Sequence, residues 1–149
     1  MGTINAHEFY MKQCIELGKI AKENGESPVG SILVKNGKIV AKGIEAGKHH
    51  KDITSHAEIE VIRNFVKESG ITNLENFTMY TTHEPCIMCS YVIRHHKISV
   101  IVWGISTGEI GGYSSPNFKI LEDKTISKWG KSPLLIPNIL EDECKALHF

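Results

Sequence analysis

The sequence predicts an α/β fold, and three observations carry that prediction. Residues 77–103 read as strand, helix and strand in quick succession, which implies a parallel βαβ unit. Asn36-Gly37 stands between two β-prone runs, a hairpin signal because both turn positions need positive φ. Two amphipathic patterns, at residues 5–24 and 54–68, supply helices with apolar faces to cover a sheet.

Each element can be justified in order. Over 5–24, Tyr10, Cys14, Leu17 and Ala21 share one helical face, and Gly25 supplies a stop. Val29–Lys35 and Lys38–Lys42 form the arms of the hairpin, followed by a polar, His- and Lys-rich loop to Asp52. Thr54-Ser55 opens the second helix, whose apolar face is Ala57, Val61, Ile62 and Phe65, and Ser69-Gly70 ends it. Phe77–Thr82 is a buried strand. Pro85 begins a helix reaching His95, where its missing N–H costs little in the first turn. Ile98–Trp103 is the clearest strand, ended by Gly104. A Gly/Ser-rich loop covers 105–117, a helix is expected at 118–128, and Pro133–Ile136 precedes a final helix from Glu141. Without an internal repeat or a dividing linker, residues 1–149 are expected to form a single domain.

Composition narrows the function classes. The chain has 17 Lys plus Arg against 17 Asp plus Glu, so no global field draws polyanions, and a nucleic-acid partner would need a local basic patch. No apolar run approaches the ~18 residues of a membrane span, which argues against a membrane partner. Met1–Asn5 lacks the charged-then-apolar layout of a signal peptide. The 4 cysteines make no disulfide framework, so a reducing, cytoplasmic setting is expected.

The chemistry concentrates in two stretches, His56-Ala57-Glu58 and Pro85-Cys86-Ile87-Met88-Cys89. Together they match the H-x-E…P-C-x-x-C signature of zinc deaminases. Cys86 and Cys89, i and i+3 at a helix start, project their sulfurs from one side, and the positive helix end favours thiolates. With His56 they offer Zn²⁺ three ligands and leave one position for water. Glu58 has the length to take a proton from that water without occupying the metal. Simpler readings exist. Ser55 and Glu58 fit a capping box, and the thiols could be buried or form half of a structural knuckle. A structural site needs a fourth ligand, however, and neither Cys14 nor Cys144 has paired spacing.

On these residues the sequence resembles the cytidine deaminase-like superfamily, in the branch of guanine deaminases, fungal-type cytosine deaminases and tRNA adenosine deaminases. Pro28-Val29-Gly30 is similar to the branch's P-V-G, Thr54–Glu58 to its T-x-H-A-E, and Glu84–Cys89 to its E-P-C-x-M-C. Ile139–Cys144 resembles the tail of the tRNA-editing members. The resemblance implies a three-layer α/β/α sandwich with a mixed five-stranded sheet, and a homodimer with sites near the interface. It also implies that Pro28 and Val29 border the substrate ring, with Ala57 and Pro85 completing the substrate-binding set.

Two departures bear on the substrate. The branch's base-reading Asn falls on Glu45, which when ionised only accepts hydrogen bonds and would favour a donor-rich edge such as guanine's. A solvated loop residue is the bland reading of the same position. After Trp103, the basic R-D-x-K-x-G of tRNA editors is replaced by Ile105-Ser106-Thr107-Gly108-Glu109. The runs Lys48–Lys51 and Arg94–Lys97 could substitute, although such runs are usually solvated. His83 lines the pocket or merely ends its strand, and Trp129 and Phe149 are candidates to close the site. The first expectation is therefore hydrolytic deamination of a small-molecule amino-heterocycle, a free base or nucleoside, guanine-like before cytosine-like. The alternative is tRNA wobble-adenosine deamination; a third is a non-catalytic zinc-stabilised interaction domain.

Overall fold

The computed structural model describes residues 3–149. Met1 and Gly2, the start of the stretch read above for a signal peptide, lie outside the described residues. Helix α1 (Ile4–Glu23) is capped by Thr3, whose hydroxyl accepts from the Ala6 N–H. Its buried stripe runs through His7, Met11, Cys14, Ile15, Gly18 and Ala21, leaving the expected Tyr10 and Leu17 at its half-buried margin. Strands β1 (Gly30–Lys35) and β2 (Lys38–Ile44) are joined by Asn36 and Gly37 at φ 52° and 74°, as the hairpin requires.

Within the expected polar loop, Gly47–His50 form a one-turn helix, α2. Helix α3 (Ala57–Ser69) starts three residues later than Thr54 and ends at Gly70, which adopts φ 74°. Strand β3 (Thr78–His83) leads to helix α4 (Ile87–His96). Pro85 therefore precedes the helix instead of opening it, because Cys86 takes the capping position and its Sγ accepts the Cys89 N–H. Strand β4 (Val100–Ile105), strand β5 (Leu134–Ile136) and helix α5 (Glu141–Ala146) complete the chain.

The strands lie in the order β2-β1-β3-β4-β5. Strand β1 is antiparallel to β2 and β3, whereas β3, β4 and β5 run parallel, so the sheet is mixed, as the family resemblance implied. Alternation of side chains sorts the core into two halves. Leu33, Met79, Ile101 and Trp103 pack against Val61 and Ile62 of α3 and Ile93 of α4. Ile32, Val34, Tyr80 and Val102 pack against Met11, Cys14 and Ile15 of α1 and Cys144 of α5. Helices on both faces of one sheet give the α/β/α sandwich.

Two local expectations are corrected. Strand β4 does not end at Gly104 but passes through it, because α5 lies so close that a Cβ there would sit 2.3 Å from Cys144 Sγ and 2.8 Å from the Thr82 carbonyl. No α-helix forms over 118–128; the segment is a chain of turns ending in a 3₁₀ turn at Ser127–Trp129. The Arg94 guanidinium, 2% exposed, donates to the carbonyls of Ile120 (2.7 Å) and Asp123 (2.9 Å), which a helix would need for its own ladder. Among the described residues, no helix is long and apolar enough to cross a membrane.

Candidate active site

The topology brings two helix starts to one edge of the sheet. Strands β3 and β4 run parallel, so α4 begins at their carboxyl ends, where open α/β sheets bind ligands. Ser31 pairs with Thr81 and Gly30 with Ile44, so β2 delivers residues 45–56 to that same edge. His56 caps α3 there, and Cys86 caps α4.

The three side chains converge. His56 Nδ1 lies 3.6 Å from Cys86 Sγ and 3.4 Å from Cys89 Sγ. All three donor atoms fall within 4.8 Å of one another, the only such His/Cys/Asp/Glu group among the described residues. Tetrahedral zinc with ordinary Zn–N and Zn–S bonds spaces its N and S ligands about 3.6 Å apart, so the donor set fits this ion. Two thiolates and a neutral imidazole would also balance its charge.

The electrostatics follow from this crowding. Hydrogen bonding from Cys89, helped by His56, draws the Cys86 thiol down to about 4 against the effect of burial. Cys89, bonded to Cys86 and buried, is pushed well above the ordinary thiol range. The bond to Cys86 lifts His56 to about 9, again against burial. Glu58 is 4% exposed, and burial raises it to about 7, into the range suited to exchanging protons near neutrality. Its Oε1 accepts from Cys89 Sγ at 3.9 Å. The capping-box alternative is not realised: His56, not Ser55, occupies the cap, and the Ser55 hydroxyl pairs with His50 Nδ1 at 2.9 Å.

A cleft of about 380 Å³ opens beside His56, lined in part by Glu26, Glu45, Lys48, Asp52 and Ile53. Larger hollows beside α1 and α5 (about 530 Å³) and beside Trp129 (about 660 Å³) contain no His–Cys cluster, and the smaller cleft is the one that matters. Glu45 is half-buried, and burial raises its carboxyl. The neighbouring His56, with smaller contributions from the backbone N–H groups of Gly47 and Ala57, works the other way. The Glu45 N–H bonds the Val29 carbonyl (3.1 Å), while the Pro28 carbonyl faces Gly18 of α1. Ala57 is fully buried in the first turn of α3, and the Pro85 carbonyl accepts from the Gly112 N–H at 2.8 Å.

Other candidates lie elsewhere or acquire partners. His83, on the strand leading to Cys86, sits with Nε2 2.7 Å from His148 Nε2 and Nδ1 2.7 Å from the Thr82 hydroxyl. Trp129 packs on Arg94 and Tyr91 of α4, and Phe149 is 93% exposed with its carbonyl bonded to Lys22 Nζ. Arg94–Lys97 ends α4 at the opposite edge of the sheet, with Arg94 buried and His96 bonded to the Thr72 carbonyl. Lys48–Lys51, by contrast, borders the cleft. Sequence reasoning missed the pairing of Ser106 with Glu84 and of His148 with His83, because hydrogen bonds across 22 and 65 positions leave no local signal.

Residues 4–105 match the family of the cytidine and deoxycytidylate deaminase zinc-binding region. A tRNA-specific adenosine deaminase of Aquifex aeolicus is 36% identical over 130 residues, covering 85% of each chain. One from Bacillus subtilis is 33% identical, covering 92% of this chain and 83% of its own. A solved tRNA:A34 deaminase superposes with a TM-score of 0.85 at 27% identity, covering 93% of this chain and 98% of its own. The Bacillus subtilis guanine deaminase reaches 0.65 at 26% identity, covering 80% and 82%. These findings overturn the first expectation of a free-base, guanine-like small-molecule substrate: the relatives at 33–36% identity are tRNA enzymes, and the guanine deaminase fits less well. Donor set, fold and sequence similarity meet in one conclusion: the chain belongs to the cytidine and deoxycytidylate deaminase zinc-binding family and is a zinc-dependent hydrolytic deaminase.

Proposed function

We propose that this protein deaminates the wobble adenosine of a tRNA to inosine. The observation that carries the reading is the 33–36% identity, over 85–96% of the chain, to tRNA-specific adenosine deaminases. His56, Cys86 and Cys89 hold the zinc. When bound, the ion supplies a Lewis acid that lowers the pKa of water.

Glu58 takes one proton from the attacking water and passes it to adenine N1. The remaining water proton returns through Glu58 to the amino group. The C6–N bond breaks, ammonia leaves, and C6 keeps the water's oxygen as the carbonyl of inosine. The Cys86 N–H, at the start of α4, is placed to stabilise the reacting oxygen. Pro28, Val29, Glu45, Ala57 and Pro85 border the base that must leave the anticodon stack to reach Glu58. The working form is a homodimer of this single domain in the cytoplasm.

The test is inosine formation at position 34 of a tRNA transcript, read by nuclease digestion and mass spectrometry, beside a transcript carrying G34. Inosine from the A34 transcript, with RNA affinity falling as salt rises, supports the reading. Turnover of free bases without any binding of RNA overturns it.

A further inference from the structure

We propose that Glu84 is a positioning residue: its carboxylate holds residues 106–114 as a preformed rim beside Cys86, on which the nucleotides flanking the target base are seated. The inference rests on the tRNA reading above. Glu84 is 1% exposed, and a buried carboxylate is costly unless its lone pairs are satisfied. Here the donors come from the loop that follows β4. The backbone N–H groups of Thr107 (3.2 Å), Tyr113 (2.8 Å) and Ser114 (2.7 Å) and the hydroxyls of Ser106 (3.2 Å) and Ser114 (2.7 Å) all point at it. Gly111 is pressed so close that a Cβ there would lie 2.1 Å from Glu84 Oε2.

This loop has little regular structure of its own, only the 3₁₀ turn Gly108–Ile110, so the carboxylate supplies the order its backbone does not. The same loop is stitched to the metal-ligand turn. Gly111 forms a β-bridge with Cys86, the Gly112 N–H bonds the Pro85 carbonyl, and the Thr107 hydroxyl donates to the Glu84 carbonyl (3.3 Å). Ile110 stands out from it, 56% exposed, while the Tyr113 ring packs on Trp103 with centroids 5.5 Å apart and has Lys119 Nζ 5.5 Å from its own. An ordered loop tied to the metal-ligand turn, with Ile110 exposed on it, suits the unstacked bases of a single-stranded loop, which are held by packing more than by charge.

The test uses the zinc-loaded full chain with Glu84→Gln, which keeps the volume but turns one acceptor into a donor facing donors. Amide hydrogen exchange at Thr107, Tyr113 and Ser114 is expected to accelerate about tenfold or more, as loss of charge-assisted bonds requires. The KM for tRNA should rise about tenfold while kcat stays within about twofold and zinc content is unchanged. The milder Ser106→Ala/Ser114→Ala double variant should give the same pattern at smaller size. Unchanged exchange overturns the proposal; so does loss of zinc and kcat at constant KM, which would make Glu84 a support of the cysteine turn alone. If the unmodified protein makes no inosine in tRNA, the functional reading fails separately, and the exchange rates still decide whether Glu84 holds the loop.

Discussion

Glu58 and His83 show how burial sets the chemistry of single residues at this edge of the sheet. Glu58 is raised to about 7 by burial, so it can both take and return a proton at neutral pH. Glu58→Ala is expected to lower kcat about 10²- to 10⁴-fold while zinc content, measured by atomic emission, stays at the level of the unmodified protein. His83 is held down to about 4 by burial, with His148 adding to the effect, against an ordinary 6.5. Between those values the unfolded chain binds a proton that the folded chain refuses. Stability is therefore full above pH 6.5 and declines as pH falls towards 4, with a slope of up to about 1.4 kcal/mol per unit. Thermal melts over that range should be flatter for His83→Leu; equal slopes in both proteins would show that the buried ring does not contribute.

At the scale of elements, the placement of α3 decides where His56 stands. The helix crosses β2 at Gly43, where a Cβ would lie 2.5 Å from the Val61 nitrogen and 2.8 Å from the Ala57 carbonyl. Both are backbone atoms that cannot swing aside. Gly43→Ala should cost about 1–3 kcal/mol in urea titrations and weaken zinc retention, because moving Ala57 moves its neighbour His56. A stable Gly43→Ala protein with normal zinc affinity would separate the helix contact from the metal site. The same close packing explains why β4 continues through Gly104: local sequence marks a glycine as a stop, but the approach of Cys144 on α5 requires one within the strand.

Across the whole molecule, the metal ligands link elements far apart in sequence, His56 at the start of α3 and Cys86 with Cys89 at the start of α4. A ligand bound only by the folded state stabilises it by mass action, about 4 kcal/mol at a thousandfold excess over Kd. Chelation should therefore lower Tm by several degrees and abolish deamination, and added zinc should restore both. A chelated protein melting at the unchanged temperature would mean that zinc does not bind the folded state in preference to the unfolded one. The two core halves, one under α3 and α4 and the other under α1 and α5, do not depend on the metal, so the apo fold is expected to persist with reduced stability.

The fold class, the hairpin at Asn36-Gly37, the parallel unit around β3 and β4, and the four residues His56, Glu58, Cys86 and Cys89 are legible in the chain itself. Each depends on short-range rules: positive φ at a turn, alternation in a strand, ligand spacing at a helix start. The turns at 118–128 were not legible, because Arg94 claims carbonyls that local propensity would give to a helix. The guanine-like expectation failed because the relatives at 33–36% identity are tRNA enzymes, a distinction that a single residue such as Glu45 does not encode. Sequence by itself determined which atoms can hold a metal. Tertiary structure alone decided which loop frames them, through the convergence of Ser106, Thr107, Tyr113 and Ser114 on the buried Glu84. A carboxylate's partners are chosen by proximity in space, which no local pattern encodes.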